Sequence, residues 1–537
     1  MNRKMGHRRY VAKGYPVSLA ILLLSLSLFG TSCSQLEKPA TQIYFSDTRE
    51  SAPDEFRWSN GSEIETLDPL LATNAPESDV VKAVYEGLTD LDPMTFEAVP
   101  AIAKSWTTSE DGKVWSFILR EDARWSNGDP VTAHDFVRSW RRAASLEITE
   151  PYKDLLGNIN GLSDEEDQPN GSPSDKKELS TTMTVATDDF VLQVSLIEPD
   201  ADFAKILAHQ MFRPVHASFD STSSAEANLP ITNGAYKFVS ITPKEIVLEK
   251  SPVFWAAQRV GIGRVRFVMS EDAEQALDAY REGRLDAVTN FDFEPLALKL
   301  LSSYSDFQRS NHSAVNLYEF NTDVAPFNDE KVREAFSLAL ERDRLVQKET
   351  AGAMSPATSL VPFIDSFGKT EENTDKAKRL LAEAGFPDGR DFPSVTLVVN
   401  RNDLQLRIAR AAVKSWKTVL GVDVQIEIKE LKDMEATRDA GAFNIIRRGI
   451  VFPTASEKIA RELVFDSQRP DQTFLASKSE IGENQSDEKM GNQEAPFKSI
   501  ALYFPRSYSL VKPSVDGFSI NLFGATPVKK VSVSVKK

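Results

Sequence analysis

The chain has a single cysteine, Cys33, in 537 residues. An intrachain disulfide is therefore impossible, and so is a zinc site built on cysteines. Histidine is nearly as scarce. The five are His7, His134, His209, His216 and His312; no two stand four apart and no H-E-x-x-H occurs. G-x-S-x-G and a Walker-type phosphate loop are also missing. With no nucleophile–base pair in a known pattern, the sequence does not read as that of an enzyme, and it calls for no metal or other cofactor. Positive charge is in short supply too. The formal net charge is −16, and five of the basic residues, Arg3, Lys4, Arg8, Arg9 and Lys13, fall within residues 1–32, which hold no acid. The remainder carries 58 basic against 79 acidic residues, a net charge of −21. Such a balance argues against nucleic acid as a partner.

The composition, 41% hydrophobic and 26% charged, is that of a globular protein, and the length exceeds what one core normally serves. Two or three domains are expected. The N-terminus reads as an address. A basic segment precedes Val17–Phe29, an apolar run of 13 residues interrupted only by serines. A membrane-spanning helix needs about 20 residues, so this is the h-region of a signal peptide. Gly30, Thr31 and Ser32 lead to Cys33, which resembles a bacterial lipoprotein signal in which the cysteine is lipidated. Gly30 departs from the leucine usual at that place, and the alternative is an ordinary secretory signal with an incidental thiol. A lipid on Cys33 would anchor the protein at a membrane without spanning it, with residues 34–52 as a tether. Ser34, rather than an aspartate, favours the outer membrane where the cell has one.

Several units follow from periodicity. Val114–Arg120 alternates, with Trp115, Phe117 and Leu119 on one side, as a strand does. The Asn-Gly turn at Ser126–Pro130 leads into a helix with Thr132 and Asp135 in capping-box spacing. Ser394–Asn400 is a β-rich run. A helical pattern follows, with Asp403 as N-cap and Gly421 as stop, and then the alternating run from Val422. That makes a β–α–β unit with a right-handed crossover. Helices are also expected from Asp272 to Gly283 and, capped by Asn328 or Asp329, through Val346. Residues 161–180 and 476–494 are polar and without apolar period, and read as loops.

Five blocks, in order, carry a resemblance: "GSEIETLDPLLATNAPESDVVKAVYEGLTDLD", "VPAIAKSWTTSEDGKVWSFILREDARWSNGDPVTAHDFVRSW", "ITNGAYKFV", "APFNDEKVREAFSLALERDRLV" and "AKRLLAEAGF". Together they resemble the extracytoplasmic solute-binding proteins of peptide ABC transporters, family 5, and the oligopeptide-binding group most. The run from Gly61 to about Phe452 is covered almost without a break. The resemblance implies an α/β fold of the type II periplasmic-binding-protein kind: two lobes with a hinge, in a three-domain oligopeptide-binding architecture. Domain I would comprise 53–85, 213–315 and 510–537, domain II 86–212, and domain III 316–509. It implies a monomer that takes a peptide or peptide-like ligand by lobe closure and passes it to a permease and ATPase complex. An extended peptide would be held as an added strand, with water-filled side-chain pockets that keep sequence preference weak.

Carried over residue by residue, Ala75 would contact ligand from the first lobe, Tyr318 and Glu319 would lie near the hinge and cleft, and Tyr503 is a weaker candidate. Arg447 matches an arginine for the acidic peptide terminus; Gly449 and Val451 match main-chain partners. Arg448, its neighbour in a strand, is expected to point away as a salt-bridge residue. One position departs. The aspartate that receives the ligand's α-amine is Pro453 here, and no acid follows before Glu457. The ligand is then a peptide-like solute whose amine is not anchored, or Glu319 supplies a substitute charge. The alternative is an envelope lipoprotein, a sensor or interaction module, that keeps the fold over an eroded site.

Overall fold

The computed structural model describes residues 43–46, 54–61, 63–146, 152–162, 184–219, 229–291, 293–365, 371–465 and 497–534. The expected signal, Cys33, nearly all of the tether, and most of both polar loops lie outside the described residues. Tyr44–Lys537 form one compact unit.

The first lobe is built on a seven-stranded sheet. Its strands run, side by side, Phe307–Asn311, Arg506–Val511, Ala287–Thr289, Glu55–Ser59, Arg264–Val268, Glu245–Lys250 and Tyr236–Ile241. Glu55–Ser59 lies at the centre, parallel to both neighbours. Its inward residues Phe56 and Trp58 are buried against Phe267 and Phe518. The Trp58 indole N–H reaches the Thr289 hydroxyl at 2.9 Å, which gives a buried polar edge a partner. A helix, α1 (Glu77–Val84), follows the first strand.

The chain then forms a smaller antiparallel sheet of Ala103–Thr108, Val114–Leu119, Val191–Ser195 and Val185–Asp188. The Val114 strand is where its alternation put it, with Trp115, Phe117 and Leu119 buried. The helix Ala133–Ala144 begins at the expected capping box: Asp135 accepts the Thr132 backbone N–H at 2.8 Å. One apolar cluster spans both sheets, so these two domains share a core.

The second lobe has its own six-stranded sheet. The strands needed below are β1 (Ala314–Phe320), β2 (Val395–Asn400), β3 (Ile445–Val451) and β4 (Ser499–Phe504). The order is Ser355–Pro356, β4, β1, β3, β2, Val424–Lys429. The expected β–α–β unit is present: β2 and Val424–Lys429 are parallel neighbours, joined by helix α2 (Asp403–Leu420). Gly421 ends α2 in the left-handed region, at φ 74°. Its cap is Asn402 rather than Asp403. The Asn402 side-chain oxygen accepts the Gln405 N–H at 3.1 Å, so Asp403 is the first helical residue. The single helix expected from 328 to 346 is two, Glu330–Leu338 and Arg342–Glu349. The Leu338 carbonyl is taken by Asn373 N–H, and the buried Arg342 side chain turns to the Ala501 carbonyl at 2.8 Å. Tertiary partners broke what local pattern ran together.

The chain crosses between the lobes at two adjacent places. β1 follows Phe307–Asn311 after residues 312–313, and β4 runs into Arg506–Val511 through Pro505. The His312 N–H binds the Pro505 carbonyl at 2.8 Å, pairing the two crossings as a hinge. The return to the first lobe therefore falls at Pro505, earlier than the boundary expected at 510, because Arg506–Val511 pairs with both Ala287–Thr289 and Phe307–Asn311.

The end of α1 meets the first lobe's sheet at Gly234, whose N–H donates to the Val84 carbonyl at 2.8 Å. A Cβ there would lie 2.5 Å from the Val84 carbonyl carbon and 2.8 Å from the Tyr85 nitrogen. Those are backbone atoms and cannot turn aside. Gly234→Ala is expected to destabilise the protein by about 3 kcal/mol in urea denaturation; a loss under about 0.5 kcal/mol would show that α1 can shift freely.

Candidate ligand-binding cleft

The second lobe's wall is β3. Along its whole length one edge of β3 is paired with β1, from Ile445↔Phe320 to Val451↔Ala314. The other edge is paired with β2 at Ile445 and Ile446 only. The backbone pattern says which groups this leaves over. The Asn444 carbonyl accepts from Asn321, and Phe452 N–H donates to the Ser313 carbonyl. In an antiparallel ladder, alternate residues face the partner, so 444, 446, 448, 450 and 452 face β1. The N–H and C=O groups of Arg447, Gly449 and Val451 point to the opposite edge. The parallel pairing of Ile446 with Val398 takes up the Arg447 N–H there. No strand among the described residues pairs with the Arg447 C=O or with either group of Gly449 and Val451. Gly449 is exposed and Val451 is 42% exposed. This is an open strand edge of the kind that accepts an added strand.

Side chains alternate across the sheet, and the two arginines separate. Arg447 shares a face with its partner Tyr318 and with Asn316, whose side-chain oxygen accepts from both Nε (3.1 Å) and Nη2 of Arg447. Tyr503 stands beside it, its hydroxyl held by Gln405 of α2 at 2.8 Å. Burial lowers the pKa of the Arg447 guanidinium, while the Tyr503 and Tyr318 phenols favour its charge. No carboxylate forms an ion pair with it among the described residues. Tyr318 is 1% exposed, so it backs Arg447 from within the core and does not face solvent.

Arg448 points the other way, as expected. Its Nη1 lies 2.6 Å from Glu319 Oε2. Arg438 approaches the same oxygen at 3.2 Å, and Lys498 comes within 4.0 Å of Oε1. Burial lowers the pKa of Arg448 and of Lys498, and Glu319 works against that in both. The expectation that Glu319 could face a ligand's amine is thus corrected. Glu319 lies on the opposite face from Tyr318, and its carboxylate is committed to the protein's own cations. Pro453 lies just past the end of β3, between the buried Phe452 and Thr454.

On the first lobe, Ala75 is exposed at the start of α1. The segment before it is held from below. Gln210 donates to the carbonyls of Ala72 and Thr73 at 3.1 and 3.0 Å, and the Tyr152 hydroxyl reaches the Asn74 side chain at 3.4 Å. The Tyr152 ring lies 5.4 Å from that of His209. Burial, with Lys82 and Arg213 nearby, pushes the His209 pKa down to about 3. The sequence reading missed Tyr152, Gln210, Asn316 and Gln405. Asn316 was accessible to it, standing two residues from Tyr318 on the same strand face. The others come from distant segments and carry no local signal. No group of three or more metal-ligating side chains occurs among the described residues.

Two lobes joined by a paired hinge, each presenting an exposed wall, define a binding protein of the venus-flytrap class. Residues 97–470 match the family described as bacterial extracellular solute-binding proteins, family 5. The chain belongs to that family. It is 35% identical to the periplasmic oligopeptide-binding protein OppA of Salmonella typhimurium over 409 residues, 73% of each chain. It is 28% identical to the dipeptide-binding protein DppE of Bacillus subtilis, over 78% of each. Among solved structures, a periplasmic oligopeptide-binding protein of Borrelia burgdorferi aligns with TM-score 0.60 and 25% identity, over 90% of this chain and all of that one. The murein tripeptide-binding protein MppA, in an unliganded open form, shares the fold with TM-score 0.72 at 23% identity, over 92% of this chain and 99% of that one.

Two outcomes are expected. Glu319→Gln leaves buried cations without their counter-charge and costs about 3–5 kcal/mol in denaturation; a cost under about 1 kcal/mol would mean the cluster relaxes to water. His209 gives a pH dependence. Its folded pKa is depressed below the unfolded value near 6.5, so its contribution is complete above that pH and is lost as pH falls toward about 3. Between pH 7 and 4.5 the wild type should lose about 2 kcal/mol more stability than His209→Gln. Parallel losses in the two proteins would contradict this.

Proposed function

We propose that this chain is the substrate-binding component of a peptide ABC transporter. It captures oligopeptides or peptide-like solutes outside the cytoplasmic membrane and delivers them, by lobe closure, to a permease and ATPase complex. It works as an exported monomer held at the membrane by a lipid on Cys33, and does no bond chemistry. The observation that carries this reading is the open edge of β3. Three residues, Arg447 through its C=O and Gly449 and Val451 through both groups, offer main-chain groups that no strand pairs among the described residues, at the two-residue repeat of an extended peptide. Arg447 adds a cation without a carboxylate partner among the described residues, matched to the ligand's acidic terminus. Ala75 meets the peptide from the first lobe. Tyr318 supports Arg447, and Glu319 holds the sheet's other face. A Cβ on Gly449 would come within 2.8 Å of the Arg447 guanidinium, so the glycine gives that side chain its space.

With Pro453 in place of an acid, the α-amine has no anchor at that end. The ligands are therefore peptides whose amine is capped or left in water. Calorimetric titration with a mixed tri- to pentapeptide pool tests this. N-terminal acetylation is expected to leave the affinity within about threefold. C-terminal amidation should weaken it about tenfold or more, a charge-assisted hydrogen bond being worth about 1.5–3 kcal/mol. Arg447→Gln should bind the free-acid pool as weakly as the wild type binds the amidated one, and no longer distinguish the two. Absence of binding heat with every pool would sink the peptide reading.

A further inference from the structure

A helix follows the ligand strand: α3, Glu457–Phe465. Each end of it is tied to something different. At its start, the Ser456 hydroxyl accepts the Ile459 N–H at 3.3 Å. The first N–H, that of Glu457, donates across the cleft boundary to Asp202 Oδ2 of the first lobe at 3.0 Å. An acid there also suits the positive end of the helix dipole. One residue on, Lys458 Nζ lies 3.4 Å from Glu198 Oε2, again in the first lobe. Ile459 is 7% exposed and sits within the first lobe's apolar cluster, and Leu463 packs on that cluster and on the second lobe's as well. At the far end, Arg448 donates to the carbonyls of Leu463 and Val464 at 2.9 and 3.2 Å, and Lys498 to that of Phe465 at 3.3 Å. These are the cations that surround Glu319. The helix is thus fastened to β3 through Arg448 and to the first lobe through Asp202 and Glu198.

In the same arrangement both cleft walls are exposed to solvent, Ala75 on the first lobe and Gly449 and Val451 on the second. A contact already made when the walls are apart is not the clamp that holds them together. Rotation about the crossings at residues 312–313 and 505 moves the second lobe against the first, and α3 with it. We propose that α3 is an open-state latch: its contacts with Asp202 and Glu198 hold the unliganded lobes apart and must yield when ligand closes them. Ligand affinity is then reduced by the bias toward the open form, since only the closed state binds fully. Arg448 places the latch one residue from the Arg447 backbone that ligand engages.

A charge swap tests the contact itself, using residues outside the ligand-binding wall. Glu198→Lys and Lys458→Glu each remove the ion pair, and the double variant restores it in reverse. Each single variant is expected to bind the peptide pool about three- to tenfold more tightly than wild type. Each should also show a smaller radius of gyration by small-angle scattering without ligand. The double variant should return toward wild type in both. Asp202→Ala, which removes the acceptor of the helix N–H, should act like the singles. Single variants with unchanged dimensions, or with weaker binding, overturn the latch, because the contact would then be neutral or kept in the closed form. The scattering arm needs no ligand. A failure of peptide binding in the wild type therefore counts against the transport reading and leaves the latch to be judged separately.

Discussion

One strand edge governs this protein. Among the described residues β3 is paired along all of one side and at two residues of the other, and the groups left over are the Arg447 C=O and both main-chain groups of Gly449 and Val451. An unpaired edge is normally a hazard, since it invites any extended chain. Here it is confined to a short stretch inside a cleft, with an arginine beside it. Much of the second lobe serves to keep that stretch straight and vacant. β1 and β4 back it, α2 supplies Gln405 to hold Tyr503, and Tyr503 and Tyr318 in turn hold Arg447.

The strand's alternation divides two like charges that the sequence places side by side. Arg447 and Arg448 would repel if they shared a face. Instead one joins Asn316 and the phenols, where its charge has no acid among the described residues. The other joins Glu319, Arg438 and Lys498 and closes the end of α3. The first arrangement is the one proposed to serve ligand. The second anchors a helix whose other end reaches the opposite lobe. The proposed ligand site and the lobe contact are therefore neighbours along one strand, separated by a single peptide bond.

The first lobe is organised differently. Its wall at Ala75 depends on a loop that Gln210 and Tyr152 support from the smaller antiparallel domain. The two domains of this lobe share one apolar cluster, whereas the main clusters of the second lobe are separate from it. That division is what a hinge requires: stiffness within each lobe, with the main apolar clusters kept apart. The helix α3 is an exception, since Ile459 enters the first lobe's cluster.

Much of this was legible in the residues. The alternation at Trp115, the capping box at Thr132 and Asp135, the β–α–β unit ending at Gly421 and the opposed directions of Arg447 and Arg448 all follow from local period and backbone geometry. Each is fixed within a few residues, so the chain itself states it. Other features needed the folded molecule. Asn402 rather than Asp403 caps α2 because two adjacent cap-competent residues differ only in which meets the helix axis. The helix expected through residue 346 divides because Asn373 and Ala501, distant in the chain, take up groups at the break. Glu319 read as a possible partner for a ligand because the resemblance places it near the hinge and cleft and the acid at Pro453 is missing, yet its three cations arrive from separate segments. The open edge of β3 is the strongest case. A sequence can declare a strand, but whether its second edge is covered depends on where every other strand lies.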